Sequence, residues 1–328
     1  MCLYSIIIPV YNRPAEVDEL LATLTAQTLT NFEVIIVEDG STETCKGVVE
    51  KYTSQLTIHY FFKENEGQGF ARNYGFKKAK GDYFIVFDSD CLIPANYLEI
   101  VDKSIEKEGW DAFGGPDKEH ESFTITQKAI SYSMTSPFTT GGIRGNKKHT
   151  GTFHPRSFNM GISKEVFAKT KGFKITRMGE DIEFSIRIIE NGFKVGLIPE
   201  AYVYHKRRTN LVQFYKQLHF FGRARINISR FYPQELKLVH TFPALFLLGC
   251  LAILAFYFIC PPLFKVAVGL LAAFYTLIFV HSTVLQKNLW VGFVSMFTST
   301  IQLWAYGVGF ISEGAKIVAH RYNLGFSS

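Results

Sequence analysis

The sequence predicts an α/β domain on a mostly parallel sheet with helices on both faces, followed by an α-helical membrane region. Three observations carry that expectation. Short runs rich in Ile, Val, Phe and Tyr alternate with segments of helical period in the first part of the chain, the signature of strand–helix–strand units. The carboxyl ends of those runs collect acids, asparagines and glycines, where such sheets bind ligands. Beyond residue 238 come three long stretches without Asp, Glu, Lys or Arg.

Taken in order, YSIIIPV (4–10) reads as the first buried strand. PAEVDELLATLTAQ (14–27) has apolar residues at helical spacing and an acidic first turn, which suits the positive end of a helix dipole. FEVIIVED (32–39), LTIHYFF (56–62) and DYFIVFD (82–88) read as further strands, and TETCKGVVEKYTSQ (42–55) and GQGFARNYGFKKAK (67–80) as the helices between them. RSFNMGISKEVF (156–167) reads as a loop, a short strand and a helix start, and MGEDIEFSIRIIENG (178–192) as a helix beginning at Glu180-Asp181. The ligand-binding edge then carries Pro9 to Asn12, Glu38 to Gly40, Asn65 to Gly69, and Asp88-Ser89-Asp90.

Composition removes several function classes. The chain has 328 residues, with 47% hydrophobic and 20% charged, enough apolar material for a large core and too much for long disorder. A net charge of +6 is mild, and no dense basic run interleaved with aromatics marks a nucleic-acid surface. There is no GxGxxG at the first turn and no GxxxxGK[ST], which argues against dinucleotide and P-loop folds. The 5 cysteines are scattered without a CxxC pair, so reduced thiols in a cytosolic setting are expected. The first apolar run is too short, and lacks the basic prelude, for a secretory signal.

The charge-free stretches run Leu238–Phe264, Val266–Gln286 and Asn288–Ser312. Each exceeds the roughly 20 apolar residues that cross a bilayer; buried soluble helices are the alternative. Pro261-Pro262 mark the turn between the first two. The third holds Ser295, Thr298, Ser299, Thr300 and Gln302, which also suits an interfacial or re-entrant segment. Lys206, Arg207, Arg208, Lys216, Arg223, Arg225, Arg230 and Lys237 precede the first stretch, opposed only by Glu235. Such charge favours the cytoplasmic side. The expected organisation is a cytosolic domain over 1–237 and a membrane region over 238–328, in an inner or plasma membrane. Val212, Tyr215, Leu218, His219 and Gly222 suit an amphipathic helix in the interface, or an ordinary surface helix. The spans carry no charged residue to serve a transporter, and His281 falls near a span end.

Asp88 and Asp90 are spaced by two at a strand end, which puts their carboxylates on one side of an extended chain. Like charges so placed repel unless a divalent cation sits between them and a ligand. Oxygen donors suit Mg²⁺ or Mn²⁺, which borrow phosphate oxygens from a substrate diphosphate; a solvated acidic turn is the bland reading. Glu180-Asp181 reads either as a first-turn dipole partner or as a general base for an attacking hydroxyl. His205 is a structural histidine or a third ligand. Arg72 is a helix-surface cation or a diphosphate clamp.

The ordered set SIIIPVYNR, VEDGS, NEGQGFARN, DSD, FNMG and GED resembles the family-2 glycosyltransferases over residues 3 to 225. The resemblance implies the GT-A fold and inverting transfer of a sugar from a nucleoside-diphosphate sugar, with Mg²⁺ or Mn²⁺ as cofactor. It implies Pro9 and Tyr11 at the base, Asp39 at the base or ribose, and Arg72 near the nucleotide. Asp88 and Asp90 match the DxD that binds the metal–diphosphate, with His205 as a further metal or diphosphate contact. Asp181 matches the catalytic base, and Glu180 and Asn159 the acceptor side. There are two departures: Glu38-Asp39 stands where the family usually has two aspartates, and QxxRW is absent, its region reading QLHFFGRAR (217–225). Single-sugar transfer is therefore expected rather than polymerisation. The expected enzyme is a membrane-anchored hexosyltransferase acting on a lipid-linked glycan in cell-surface polysaccharide synthesis. The alternatives are a polyprenyl-phosphate glycosyltransferase and a catalytically inactive membrane scaffold of the same fold.

Overall fold

β1 (Tyr4–Val10), β2 (Phe32–Asp39), β3 (Ile58–Lys63) and β4 (Tyr83–Phe87) pair in parallel in the order β3-β2-β1-β4 in the computed structural model, which describes residues 3–140, 153–206 and 208–321. Helices α1 (Pro14–Thr25), α2 (Lys46–Glu50) and α3 (Gln68–Lys78) connect them. The chain continues through β5 (Cys91–Leu92), α4 (Tyr97–Glu108), β6 (Ala112–Gly114) and β7 (Asp117–Lys118) to the helices α5 (Ile125–Thr135) and α6 (Pro137–Thr140). Then come β8 (Asn159–Ser163), α7 (Lys164–Thr170), α8 (Glu180–Glu190), β9 (Val195–Leu197) and β10 (Val203–His205). Four helices close the described chain: α9 (Leu211–Ser229), α10 (Phe242–Ile259), α11 (Pro261–Gln286) and α12 (Leu289–Arg321).

The larger sheet has seven strands ordered β3-β2-β1-β4-β8-β6-β9. Only β8 opposes its neighbours β4 and β6, so the sheet is mostly parallel, as expected. A smaller sheet orders β5-β10-β7. Strand alternation divides the core between two faces. Tyr4, Ile6 and Ile8 pack with Leu20, Leu24, Leu98 and Val101 of α1 and α4 on one side. Ile7, Ile35 and Val86 pack with Ala71, Phe76, Phe184 and Ile188 of α3 and α8 on the other. Both faces are covered, so the strands read as unbroken apolar runs. A Cβ on Gly75 would lie 2.4 Å from Ile7 Cγ2, so only glycine lets α3 lie this close to β1.

Two compact units result. One comprises the described residues of Met1–His120 and Lys147–Lys206, and the other those of Glu121–Asn146 and Arg207–Ser328. The first holds both sheets. The second joins α5 and α6 to the last four helices. Composition marks where the chain loses its charge; packing groups α5, α6 and α9 with the apolar helices that follow.

Three local expectations need correction. The helix expected over 42–55 is confined to α2, because the preceding residues are held elsewhere: Thr42 and Glu43 donate N–H to Asn12 Oδ1, and Cys45 N–H donates to Glu38. The buried face of α9 is set by Phe214, Leu218 and Gly222, while Val212 and Tyr215 are exposed. The prolines Pro261-Pro262 are not the turn itself. The helix breaks at Cys260, and they form the first turn of α11, where their missing N–H groups cost nothing.

α10 with the short turn before it (Leu238–Ile259) and α11 are long and apolar enough to cross a bilayer, and only 17% and 6% of their most apolar windows are buried. The core helix of a soluble protein would be mostly buried.

Candidate active site

The ends of β1, β2 and β4 bring Tyr11, Asp39 and Asp88 to one edge of the sheet. β8 is antiparallel, so it contributes its first residue there, Asn159 opposite Phe87. β10 brings His205 opposite Cys91.

The two aspartates part company. The chain leaves extended geometry after Phe87, and Cys91 N–H bonds back to the Asp88 carbonyl 3.1 Å away. The spacing rule for strands no longer applies, and each carboxylate finds its own cation. Asp88 Oδ1 accepts from Arg72 Nη2 at 2.8 Å. Asp90 Oδ2 accepts from Arg13 Nη1 at 2.7 Å, and its Oδ1 lies 3.0 Å from His205 Nε2.

Among the described residues, Asp90, Cys91 and His205 place candidate ligand atoms within 4.8 Å of one another. Burial, and next the charge of Asp90, pushes the Cys91 thiol well above its usual range. A thiol held protonated is a poor ligand. Asp90 Oδ1 and His205 Nε2 remain as an oxygen–nitrogen pair that fits Mn²⁺ or Mg²⁺ and leaves positions for phosphate oxygens. The Phe158 ring stacks on the His205 imidazole at 5.0 Å and helps fix its plane.

Arg72 sits in α3 with no solvent exposure. Its Nη1 lies 3.7 Å from Glu180 Oε1, and neither Nη1 nor Nε makes a hydrogen bond. Its guanidinium lies 5.4 Å from the centre of the Phe173 ring. Asn73 fixes that segment by donating to the Phe173 carbonyl at 2.7 Å and accepting its N–H at 2.8 Å.

Glu180 and Asp181 open α8 after Gly179, whose φ of +99° favours glycine. Glu183 and Arg187 anchor the helix: the buried pair meets at 2.9 Å, and Arg187 also donates to the Thr170 and Gly172 carbonyls. Gln68 donates to Glu180. Burial, and then Asp181, raises the Glu180 carboxyl above its usual range, against the pull of Arg72. Asp181 is less enclosed, with Arg156 Nη1 3.3 Å from its Oδ2.

At the nucleoside end of the expected site, Tyr11 is exposed and Pro9 is half-buried. Asp39 accepts from Lys63 Nζ at 2.9 Å and from the Glu66 and Gly67 N–H groups at 3.0 and 2.8 Å. Its carboxylate therefore shapes the 64–67 loop. Asn159 is fully buried, with Oδ1 accepting from Tyr97 and Nδ2 donating to the Ala201 carbonyl at 2.8 Å. It braces the sheet edge.

Arg13, Gln68, Cys91 and Arg156 belong to this constellation without having been singled out in the sequence. Arg13 follows Tyr11-Asn12 at the ligand edge and carried a signal. Arg156 carried none, because its place depends on the antiparallel entry of β8.

The family model for glycosyl transferase family 2 matches residues 5–170. A glycosyltransferase of Haemophilus influenzae is 33% identical over 219 residues, covering 64% of this chain and 71% of its own length. A glycosyltransferase of Rickettsia bellii is 43% identical over 103 residues, 31% of this chain and only 15% of its own length. Among solved structures, the mannosyltransferase PcManGT of Pyrobaculum calidifontis, in complex with GDP-Man and Mn²⁺, superposes with a TM-score of 0.68 at 16% identity, covering 96% of this chain and 88% of that one. That likeness is one of fold.

Proposed function

The chain belongs to glycosyl transferase family 2, and from that premise we propose that it transfers a sugar from a nucleoside-diphosphate sugar to an acceptor at a membrane, with inversion. The observation that carries the reading is Arg72, a buried guanidinium with Nη1 and Nε unbonded beside Asp88. Those N–H groups suit an anionic diphosphate, which Arg grips through its planar fork. Asp90 and His205 would hold the Mg²⁺ or Mn²⁺, with Asp88 beside them. The chemistry such a cation supplies is neutralisation of the diphosphate as it leaves. Tyr11 offers its ring to the base, Pro9 borders it, and Asp39 holds the adjoining loop. Asp181 takes the proton of an acceptor hydroxyl, and Glu180 borders the acceptor.

α10 and α11 anchor the enzyme, and the basic residues before them put the catalytic unit on the cytoplasmic side. A membrane enzyme of this kind suits a lipid-linked acceptor in cell-surface polysaccharide synthesis. Arg156 beside Asp181 favours a second version, with a polyprenyl phosphate as acceptor. A phosphate arrives ionised, needs little help from a base, and gains from a cation.

The test is binding of a panel of nucleoside-diphosphate sugars to the purified protein, with Mn²⁺ and with chelator, alongside release of diphosphate. Metal-dependent binding of one donor, lost in Asp90→Ala, is expected. No metal-dependent binding of any donor would leave the acidic turn without a catalytic role. Asp181→Asn separates the two acceptors: a hydroxyl acceptor predicts loss of turnover with donor binding kept, and a phosphate acceptor predicts that turnover survives.

A further inference from the structure

We infer that α12 does not cross the membrane but lies in the plane of the leaflet that α9 borders, with its apolar side in hydrocarbon and Lys316, near its end, on the α9 side. The inference rests on the proposed anchoring by α10 and α11.

By length and by its lack of charge α12 could be a third span, although only α10 and α11 are both long and apolar enough among the described residues. Its first 24 residues, Leu289–Ser312, carry no Asp, Glu, Lys or Arg; at ~1.5 Å per residue they reach across a bilayer core. Its contacts exclude that path. α10 and α11 form a hairpin with its tip at Cys260, where Tyr257 packs on Phe264 at 5.3 Å. Phe246, near the start of α10, packs on Phe274, midway along α11, at 5.4 Å. α12 meets the hairpin between its middle and the end away from the tip. Ser295 bonds Ser282, Thr300 bonds Tyr275, and a Cβ on Gly307 would lie 2.7 Å from the Pro243 carbonyl.

From there α12 runs along α5 and α9. Thr298 Oγ1 donates to the Ala129 carbonyl at 3.0 Å. Ala305 packs with Ile130, Met134, Phe214 and Leu218. A Cβ on Gly309 would sit 2.1 Å from the His219 carbonyl, and one on Gly222 2.1 Å from that of Tyr306. The run ends where Arg223 Nε meets Glu313 Oε2 at 2.8 Å. Arg223 precedes the first span, so Glu313 lies at its depth. α12 begins where α11 returns and ends beside α9; both ends are on one side.

The faces of α12 name the occupant of its outer side. Ser295, Thr298, Ser299 and Gln302, at helical spacing, are buried against its neighbours, while Trp290, Phe293, Phe297 and Trp304 are exposed. This inverts the pattern of a helix in water. The exposed face continues the apolar surface of α10 and α11, with an aromatic pattern suited to the headgroup boundary. Lys287 just before the helix and Lys316 near its end can reach the anionic headgroups.

The test uses the full chain in intact bacterial cells, treated with a membrane-impermeant maleimide, in a Cys2→Ser and Cys260→Ser background. Lys216→Cys on α9 and Lys316→Cys on α12 are each added, and Cys260 is restored in a third variant. The expected result is labelling of Cys260 in intact cells, with Lys216→Cys and Lys316→Cys labelled only after lysis. Labelling of Lys316→Cys in intact cells, with Lys216→Cys protected, would put α12 across the bilayer and overturn the inference. Recovery of the protein in the soluble fraction without detergent would remove the anchoring itself and the inference with it. In reconstituted vesicles Trp290 and Trp304, read separately in the Trp304→Phe and Trp290→Phe variants of a Trp110→Phe background, should both be quenched more by lipids brominated near the headgroup than near the chain end. Deep quenching of Trp304 alone would mark a crossing helix.

Discussion

Arg72 donates to Asp88 across 2.8 Å from a position with no solvent exposure, whereas Asp88 keeps about a third of its side chain open (31%). The buried partner is the cation, which is the arrangement expected where an anion is to be received. Arg72→Met would leave Asp88 and Glu180 without their shared counter-charge. Removing one member of a buried ion pair costs about 3 kcal/mol or more. A lower melting temperature is therefore expected, together with loss of donor binding. Arg72→Lys should recover more of the stability than of the binding, because a point charge does not replace the planar fork. Equal recovery of both would remove the special role of the guanidinium.

Glu180 predicts a pH dependence. Its carboxyl is raised above the ordinary value of 4.5 by burial and by Asp181. A group that holds its proton more tightly in the native state contributes stability that is complete below the unfolded value. That stability is lost as pH rises through the raised native value. Glu180→Gln cannot ionise, yet its amide oxygen can still accept from Gln68. Its melting temperature relative to the parent protein should therefore rise as pH goes from about 4.5 towards neutrality. A difference that stays constant over that range would contradict the upward shift of the buried Glu180 carboxyl.

The sequence made much of this fold legible, for identifiable reasons. β1, β2 and β4 are largely covered, so they appear as apolar runs, and α1 and α8 carry apolar residues at helical spacing. β8 is five residues long and reversed, and no local pattern encodes strand direction. That reversal decides where Arg156 and Asn159 fall, so the acceptor side was the least legible part of the site. The separate cation partners of Asp88 and Asp90 were hidden for a different reason: spacing by two predicts a shared side only while the chain stays extended, and here a turn follows Asp88. The in-plane course inferred for α12 was open in the sequence, where Ser295, Thr298, Ser299 and Gln302 already suited an interfacial segment; composition alone does not report how deep a helix's partners hold it.

Glu38 stands where the family usually has a first aspartate. Its extra methylene reaches a buried set of donors: Ser41 Oγ, Cys45 N–H at 2.9 Å, Cys45 Sγ at 3.0 Å and Tyr60 Oη at 3.2 Å. Ser41 in turn accepts the Asn12 N–H at 2.8 Å, so the network reaches the residue next to Tyr11. Glu38→Asp draws the carboxylate back from some of these donors. A loss of about 1–3 kcal/mol is expected for the donors left unpaired, with weaker donor binding through a loosened Tyr11. Burial and Glu38 also push the Cys45 thiol far above its usual range. Cys45 should therefore resist thiol reagents in the parent protein at pH 8 and react sooner in Glu38→Asp. Equal reactivity in the two proteins would show that Glu38 does not close this network.

Gly222 and Gly309 make the crossing of α9 and α12 possible, since a Cβ on either would lie 2.1 Å from a backbone carbonyl of the other helix. Backbone cannot rotate away as a side chain can, so Gly222→Ala must push the helices apart. Overpacking of this kind costs about 1–3 kcal/mol, and here it also strains the Arg223–Glu313 pair at the end of the crossing. Gly249 in α10 and Gly269 in α11 are the controls, because a Cβ on either meets nothing within 4 Å. Alanine there should be neutral or mildly stabilising, since it is the better helix former. Thermal unfolding of the detergent-solubilised chain, followed by circular dichroism, should show Gly222→Ala and Gly309→Ala melting several degrees lower. Gly249→Ala and Gly269→Ala should match or exceed the parent protein. If all four variants melted alike, α9 and α12 would not be held at backbone contact, and the course assigned to α12 would lose its firmest support.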